Sequence, residues 1–387
     1  MKVSKIRMGL VGGGEGAFIG VVHRMAAELD GLITLVCGAF SSSSDRSKRS
    51  GAEIYGLPAD RCYGSFAEMI EQESQLAATE RMDFVAVTTP NHVHYEVAKK
   101  ALDAGFHVMC EKPLSFSVKE AQLLAQQVAD SGQLFGLTHN YTGYPMIKEA
   151  RELVRSGAIG TVRRISIEYI QGWLSTAEES TGENKQAEWR TDPSRSGAGG
   201  CIGDIGTHGE NLAEYVTGQS VSALCADIST FVKGRQLDDD VNVLLRFANG
   251  AKGVLSASQI AVGVENNLTL RVYGEMGGIE WQQMEPNTLI VRWPDRPYEV
   301  RRTGGTGLSS QAEDATRLPA GHPEGYLEAF ALLYRNFAQA VQDRKNGSVQ
   351  PSSAYDFPSV DDGLRGMKFI DAVVNSSSQG AVWVDLD

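Results

Sequence analysis

A short apolar run, Ile6–Val11, opens directly into Gly12-Gly13-Gly14-Glu15-Gly16-Ala17, and an apolar helical pattern over Phe18–Leu29 follows at once. Strand, glycine turn and helix in immediate succession leave few folds open. Gly12-x-Gly14-x-x-Ala17 fits the G-x-G-x-x-G/A form. In that form the first glycine permits the tight turn, and the second lets a pyrophosphate approach the backbone at the helix N-terminus. Gly12, Gly14, Ala17 and Phe18 are the expected dinucleotide contacts here.

The pattern continues as such a fold requires. Leu32–Phe40, Phe84–Thr88, His107–Cys110 and Leu134–Thr138 read as further strands. Tyr95–Ala104, stopped by Gly105, and Val118–Ser131 read as helices. Short apolar strands alternating with helices mean a parallel sheet covered on both faces. After about residue 140 the period changes. A helix over Met146–Arg155 is followed by long alternating runs, Val162–Gln171, Val221–Lys233, Asp239–Phe247, Ala251–Ser258 and Asn267–Tyr273, with an Asn249-Gly250 hairpin turn. Helical period returns over Glu324–Asp343 and Gly363–Val374, and the Gly- and Ser-rich stretch Thr303–Thr316 reads as a loop. The expected architecture is α/β plus α+β. The change of period divides a dinucleotide-binding α/β domain over residues 1–140 from a domain over residues 141–387 built on an antiparallel sheet. A chain of 387 residues suits two domains.

Composition narrows the class of ligand. A net charge of −12 argues against non-specific nucleic-acid or anionic-membrane binding. Five scattered cysteines without a C-x-x-C pair argue against a disulfide scaffold or a zinc site and fit a reducing compartment. No apolar run approaches the ~20 residues of a membrane span, so a cytoplasmic protein with a small-molecule substrate and no metal is expected.

The chemistry-bearing residues fall at strand ends, where α/β sheets bind ligands. The second strand runs into Ser41, Ser42 and Arg46, with no acid to accept hydrogen bonds from an NAD ribose. These side chains can take a 2′-phosphate or can form a solvated loop, so NAD and NADP both stay open. The third strand leads into Thr89-Pro90-Asn91, with Asn91 a good N-cap and His94 one turn on, which alone reads as a helix-surface residue. The fourth leads into Glu111-Lys112-Pro113, where a cis proline would aim Lys112. Farther on, Asp204 and His208 lie four residues apart among glycines, which on a helix puts them on one face. Taken singly, the Lys112 turn and the Asp204/His208 pair read as solvated surface.

Together the glycine loop, Thr89-Pro90-Asn91, Glu111-Lys112-Pro113 and Asp204-x-x-x-His208 resemble the Gfo/Idh/MocA family over essentially the whole chain. The resemblance implies a Rossmann domain followed by an α+β substrate-binding and oligomerisation domain on a large, mostly antiparallel open sheet, an NAD(P)-dependent dehydrogenase acting on a sugar or cyclic polyol, and a homodimer or homotetramer formed through that sheet. It implies that Lys112, Asp204 and His208 are catalytic, with His208 as general base, Lys112 holding the reacting oxygen and Asp204 positioning the ring. Thr89, Pro90, Asn91, His94, Glu111 and Lys112 are then cofactor contacts. The loop after Gly14 is longer than is usual in the family, which makes Gly20 a counterpart of the third glycine. Asn140 and Tyr141 are expected at the substrate, although Thr142 stands where many members carry Arg. Tyr169–Trp173 with Trp189 and Arg190 resembles the polyol- and sugar-oxidising members, and His322 is a further substrate candidate. Two related readings are a tightly held cofactor serving internal redox cycling or redox-assisted glycoside cleavage, and a non-enzymatic NAD(P)-binding regulator. The combined presence of Lys112, Asp204 and His208 argues against the regulator.

Overall fold

The computed structural model describes residues 5–348 and 350–386. Its chain divides into two compact units, residues 1–139 with 330–367, and residues 140–329 with 368–387.

The first unit holds a five-stranded sheet of β1 (Ile6–Gly12), β2 (Ile33–Ala39), β3 (Phe84–Thr88), β4 (His107–Cys110) and β5 (Phe135–Leu137), in the order β2-β1-β3-β4-β5. All pairings are parallel. The chain leaves β1 toward β2 and returns on the other side to β3, so the order reverses between β1 and β3. Ligands of open α/β sheets bind outside the strand ends at such a reversal. The register pairs Gly12 with Thr88, which brings the glycine loop and the Thr89-Pro90-Asn91 loop out of the sheet side by side. Every residue of β3 is buried, as expected for a strand covered on both faces. The segment 330–345 adds cover of its own: the Phe337 ring meets Phe84 edge to face at 5.3 Å. Two helices, Ser44–Glu53 and Phe66–Gln75, were not expected from sequence. Both are short and the first is strongly polar, so an apolar stripe hardly registers.

The second unit is built on nine strands. They are β6 (Val162–Ile170), β7 (Val221–Ser229), β8 (Asp240–Phe247), β9 (Lys252–Ser258), β10 (Asn267–Gly274), β11 (Gly278–Gln282), β12 (Thr288–Arg292), β13 (Glu299–Arg302) and β14 (Val384–Asp385). Their order is β13-β12-β11-β10-β6-β9-β8-β7-β14, antiparallel throughout except for the parallel pair β6–β9. Val241, Val243, Leu245 and Phe247 of β8 are buried while Asn242, Leu244 and Arg246 are exposed, so one face forms a core. The helix Thr207–Thr217 lies close on that face. A Cβ at Gly209 would stand 2.8 Å from the Ile167 side chain.

Three expectations are corrected. The strands β11, β12 and β13 extend the sheet through residues not read as strands, each only four or five residues long. The Thr303–Thr316 stretch is not simply a loop: it carries the helix Ser310–Ala315, whose N-terminus is capped by the Ser309 hydroxyl. The strand expected over Val221–Lys233 stops at Ser229, because Phe231 and Val232 donate their N–H groups to the Asp239 carboxylate instead of to a neighbouring strand. No helix among the described residues is long and apolar enough to cross a membrane.

Candidate active site

The glycine loop has the strained geometry its sequence promised. Gly12 and Gly13 hold φ of +93° and +75°, in the left-handed region that side chains avoid. A Cβ at Gly14 would stand 2.4 Å from the Phe40 carbonyl oxygen. The third glycine's task, letting helix meet loop, falls to Gly20: its Cβ would sit 2.3 Å from the Gly13 Cα. Ala17 instead donates its N–H to the Gly14 carbonyl at 2.9 Å inside the loop, and Phe18 is 66% exposed. The following helix, Ile19–Leu29, has neither a side-chain cap nor an acid in its first turn. By contrast, the helices Phe66–Gln75 and Val118–Ser131 are capped by Ser65 and Ser117. Uncapped backbone N–H groups behind a glycine loop fit a pyrophosphate, so the residues present suit a dinucleotide.

At the end of β2, Phe40 stacks on Tyr55 at 4.4 Å, and the Tyr55 hydroxyl donates to the Gly13 carbonyl at 2.6 Å. Ser41 accepts from the Ser43 N–H at 3.2 Å, while Ser42 and Arg46 are exposed. Ser47, not singled out from sequence, locks this corner by accepting from Phe40 N–H and donating to the Tyr63 carbonyl.

Past β3, Asn91 proves to be the first helical residue; the cap position is Pro90, whose backbone is extended. His94 is fully buried, not a helix-surface residue. Its ring nitrogens lie 2.8 Å from the carbonyl oxygens of Thr89 and Pro113, so it fastens the loop after β3 to the loop after β4. Burial pushes its pKa down, while the two carbonyls oppose that shift.

The Lys112–Pro113 peptide is cis, as the sequence suggested. Glu111 turns its carboxylate into the protein. Its Oε1 accepts from the Thr138 hydroxyl at 2.6 Å and lies 2.8 Å from His23 Nε2, and its Oε2 accepts from the Lys112 N–H at 3.2 Å. Burial alone would raise the pKa of this carboxyl. The His23 hydrogen bond and charge, the Lys112 ammonium and the Thr138 hydroxyl outweigh it and hold the pKa near about 2. His139 beside them is driven down to about 3, by burial and then by the Lys112 charge. His23, Thr138 and Tyr334 were not singled out from the sequence. Only Thr138 carried a signal, its place at a strand end.

In the second unit, the segment bearing Asp204 and His208 is held by Asp238. The Asp238 carboxylate accepts from Gly200 N–H at 2.6 Å and Ile202 N–H at 2.8 Å, and its carbonyl accepts from Cys201 N–H. Ile202–Gly206 then makes a π-helical turn that runs into the helix Thr207–Thr217. The regular α-helical spacing expected of Asp204 and His208 is therefore altered at its start, a distortion common at functional sites. Asp204 Oδ2 accepts from the Gln259 amide at 2.8 Å and pairs with Arg190 Nε at 3.2 Å. The Arg190 guanidinium lies 4.2 Å from the Trp189 ring centre and 5.9 Å from that of Trp173.

The His208 ring is buried, with Tyr141 edge-on at 4.8 Å and Tyr169 tilted at 6.1 Å. The two tyrosine hydroxyls are 2.5 Å apart. Tyr169 donates to Asn266 Oδ1 at 2.9 Å, and Asn266 Nδ2 donates to Tyr141 at 3.4 Å, which closes a ring of hydrogen bonds. Gln171 donates to Asn266 Oδ1, and Trp173 Nε1 donates to Gln171. The structure thus gathers Tyr141, Trp173, Trp189, Arg190, Asp204 and His208 with Gln259 and Asn266, two amides the sequence left unmarked. Asn140 and Thr142 are buried beside Tyr141. His322 is exposed and bonded to the Pro319 carbonyl. The segment it heads reaches this cluster through Tyr326, 6.3 Å from Tyr141.

Residues 6–139 match the model of the oxidoreductase family with an NAD-binding Rossmann fold, and residues 147–280 match that of the GFO/IDH/MocA C-terminal domain. An uncharacterized oxidoreductase of Bacillus subtilis, YfiI, is 32% identical over 98% of this chain and 96% of its own. A levoglucosan dehydrogenase of Pseudarthrobacter phenanthrenivorans is 31% identical over 78% of this chain and 79% of its own. The crystal structure of an inositol dehydrogenase homolog from Azotobacter vinelandii, complexed with NAD+, superposes with a TM-score of 0.93 at 33% identity, covering 98% of this chain and 97% of that one. With an NAD-binding Rossmann unit and a large, mostly antiparallel sheet unit, this chain belongs to the Gfo/Idh/MocA family of NAD(P)-dependent oxidoreductases.

Proposed function

We propose that this oxidoreductase removes hydrogen from a secondary hydroxyl of a cyclic polyol or sugar. The observation that carries the reading is the cluster around His208. It sets a buried imidazole among tyrosine, tryptophan, amide, carboxylate and guanidinium groups, which together suit a ring with an apolar face and many hydroxyls. Relatives named as levoglucosan and inositol dehydrogenases support it.

Oxidising an alcohol takes a hydride from carbon and a proton from oxygen. NAD, when bound, supplies the hydride acceptor; the chain manages the proton and the orientation. His208 receives the hydroxyl proton as general base. Lys112 binds the reacting oxygen and stabilises the alkoxide charge as it develops. Asp204 accepts from a neighbouring hydroxyl and, with Arg190, Trp173, Trp189, Asn140 and Tyr141, sets the ring's orientation. On the cofactor side Gly12, Gly14, Ala17, Phe18, Thr89, Pro90 and Asn91 line the dinucleotide. Ser41, Ser42 and Arg46 face the ribose and leave room for a 2′-phosphate. The open face of the nine-stranded sheet is the surface through which we expect dimers or tetramers to form.

The test is a panel of inositols, anhydrosugars and aldoses offered to the purified protein with NAD+ and NADP+ separately, following absorbance of the reduced cofactor. Turnover of a ring polyol or sugar that also fails in the His208→Ala variant supports the reading. Preference for a linear alcohol or a hydroxy acid overturns it.

A further inference from the structure

The Glu111 carboxylate ends a buried chain of polar groups that the proposed reaction does not use. Tyr334 Oη lies 2.5 Å from His23 Nδ1, and His23 Nε2 lies 2.8 Å from Glu111 Oε1. His23 and Tyr334 are fully buried, and Glu111 is 9% exposed. The three come from separate segments of the first unit: the helix after the glycine loop, the end of β4, and the segment 330–345. Their proton positions follow from their partners. An ionised carboxylate only accepts, so His23 Nε2 donates to Glu111, and Nδ1 is left to pair with the Tyr334 hydroxyl. One ring orientation satisfies both ends.

Burying a carboxylate and an imidazole is costly unless every polar atom is bonded, and apolar residues of similar volume fill space at least as well. Packing alone does not account for the arrangement. What distinguishes it is its end point. Glu111 accepts the backbone N–H of Lys112 on one oxygen while His23 and Thr138 hold the other. The carboxylate cannot rotate without breaking one of these bonds.

We propose that Tyr334, His23 and Glu111 form a positioning relay for Lys112, fixing its backbone and setting a stationary anion beside its ammonium. The proposal rests on the reading of Lys112 as the group that holds the reacting oxygen. Tyr334 and His23 act through Glu111 and touch neither substrate nor cofactor.

The test needs no substrate. Reductive methylation of the holoenzyme with ¹³C-formaldehyde gives each lysine a dimethylammonium resonance, and the Lys112 signal is assigned by its loss in Lys112→Arg. Tyr334→Phe removes only the hydroxyl and keeps the ring contacts with Phe84 and Phe330. His23→Asn removes the bond to Tyr334. In both variants the Lys112 resonance is expected to move toward the exposed lysines while the others stay in place, with Tyr334→Phe melting within a few degrees of the parent. An unmoved Lys112 signal in Tyr334→Phe overturns the relay, and so does a general shift of many lysines, which would mean loosened packing. A separate assay keeps the two ideas apart. If the Lys112 signal moves but Lys112→Met oxidises the panel substrate at the parent rate, the catalytic reading of Lys112 fails and the relay stands.

Discussion

Arg190 Nε lies 3.2 Å from Asp204 Oδ2, the oxygen that also accepts from the Gln259 amide. The carboxylate expected to orient the substrate is itself oriented from two sides, by a cation stacked near two tryptophans and by a neutral amide. Arg190→Met removes the charge while keeping much of the stem's packing. Losing one partly buried charge contact amounts to about 1.4 kcal/mol if it weakens substrate binding tenfold. We expect KM for the polyol or sugar to rise about tenfold, with NADH affinity unchanged in a fluorescence titration. An unchanged KM would show that Gln259 alone holds Asp204.

His208→Ala tests the proton acceptor. Loss of a positioned general base costs roughly 10²–10⁴ in rate. Steady-state kinetics should show that loss in kcat, with NADH binding within about twofold of the parent, since cofactor affinity is assigned to other residues. Turnover at the parent rate would remove His208 from the mechanism.

The corner after β2 bears on cofactor choice. It offers Ser41, Ser42 and Arg46 and no acid at the strand end. NADPH should therefore bind within about an order of magnitude of NADH, a difference of at most about 1.4 kcal/mol. Ser41→Asp should weaken NADPH selectively by placing a carboxylate where the 2′-phosphate would lie. If NADH already binds far more tightly than NADPH in the parent, the serine-rich corner holds the ribose hydroxyls by another route.

Gly20→Ala tests the third-glycine assignment. The added Cβ would fall 2.3 Å from the Gly13 Cα, backbone that cannot swing aside. Overpacking of this kind typically costs about 1–3 kcal/mol. Thermal unfolding should show a lower Tm, and NADH affinity should fall with it because the loop is displaced. Ala17→Gly, by contrast, should leave both nearly unchanged.

Acid should destabilise the fold partly through His107. Its Nδ1 accepts the Leu134 N–H at 3.1 Å, a bond that needs the unprotonated nitrogen. Burial, and then the Arg344 charge, lower its pKa from 6.5 to about 4. The folded state therefore binds this proton less readily than the unfolded chain. The stabilisation is present above pH 6.5 and is lost as pH falls toward 4. One such group contributes a slope of at most about 1.4 kcal/mol per pH unit. Urea unfolding between neutral pH and the acid limit should show a shallower dependence in His107→Gln by about one proton. An identical slope would remove His107 from the acid response.

Much of the cofactor half was legible because it is local. A strand, a glycine turn and a helix within some twenty residues declare themselves through period and backbone constraint, and Phe84–Thr88, His107–Cys110 and Val118–Ser131 fall where the apolar pattern put them. The π-turn before His208 left no mark, since it differs from an α-helix only in which carbonyl each N–H meets. The short strands β11–β13 left little, because four or five residues are too few to establish an alternation.

By itself the sequence determined the order of the longer elements, the parallel and antiparallel halves, and which residue types stand at each strand end, all of which depend on near neighbours in the chain. Only the tertiary structure decided what those residues face. His94 looked like surface and is buried between two carbonyls; His322 looked like a ligand and is exposed. Glu111 is fixed by His23, 88 positions away, and His23 in turn by Tyr334, 311 positions away. Hydrogen bonds are short and directional, so a partner is set by where the folded backbone places it, and contacts across hundreds of residues carry no periodic signal along the chain.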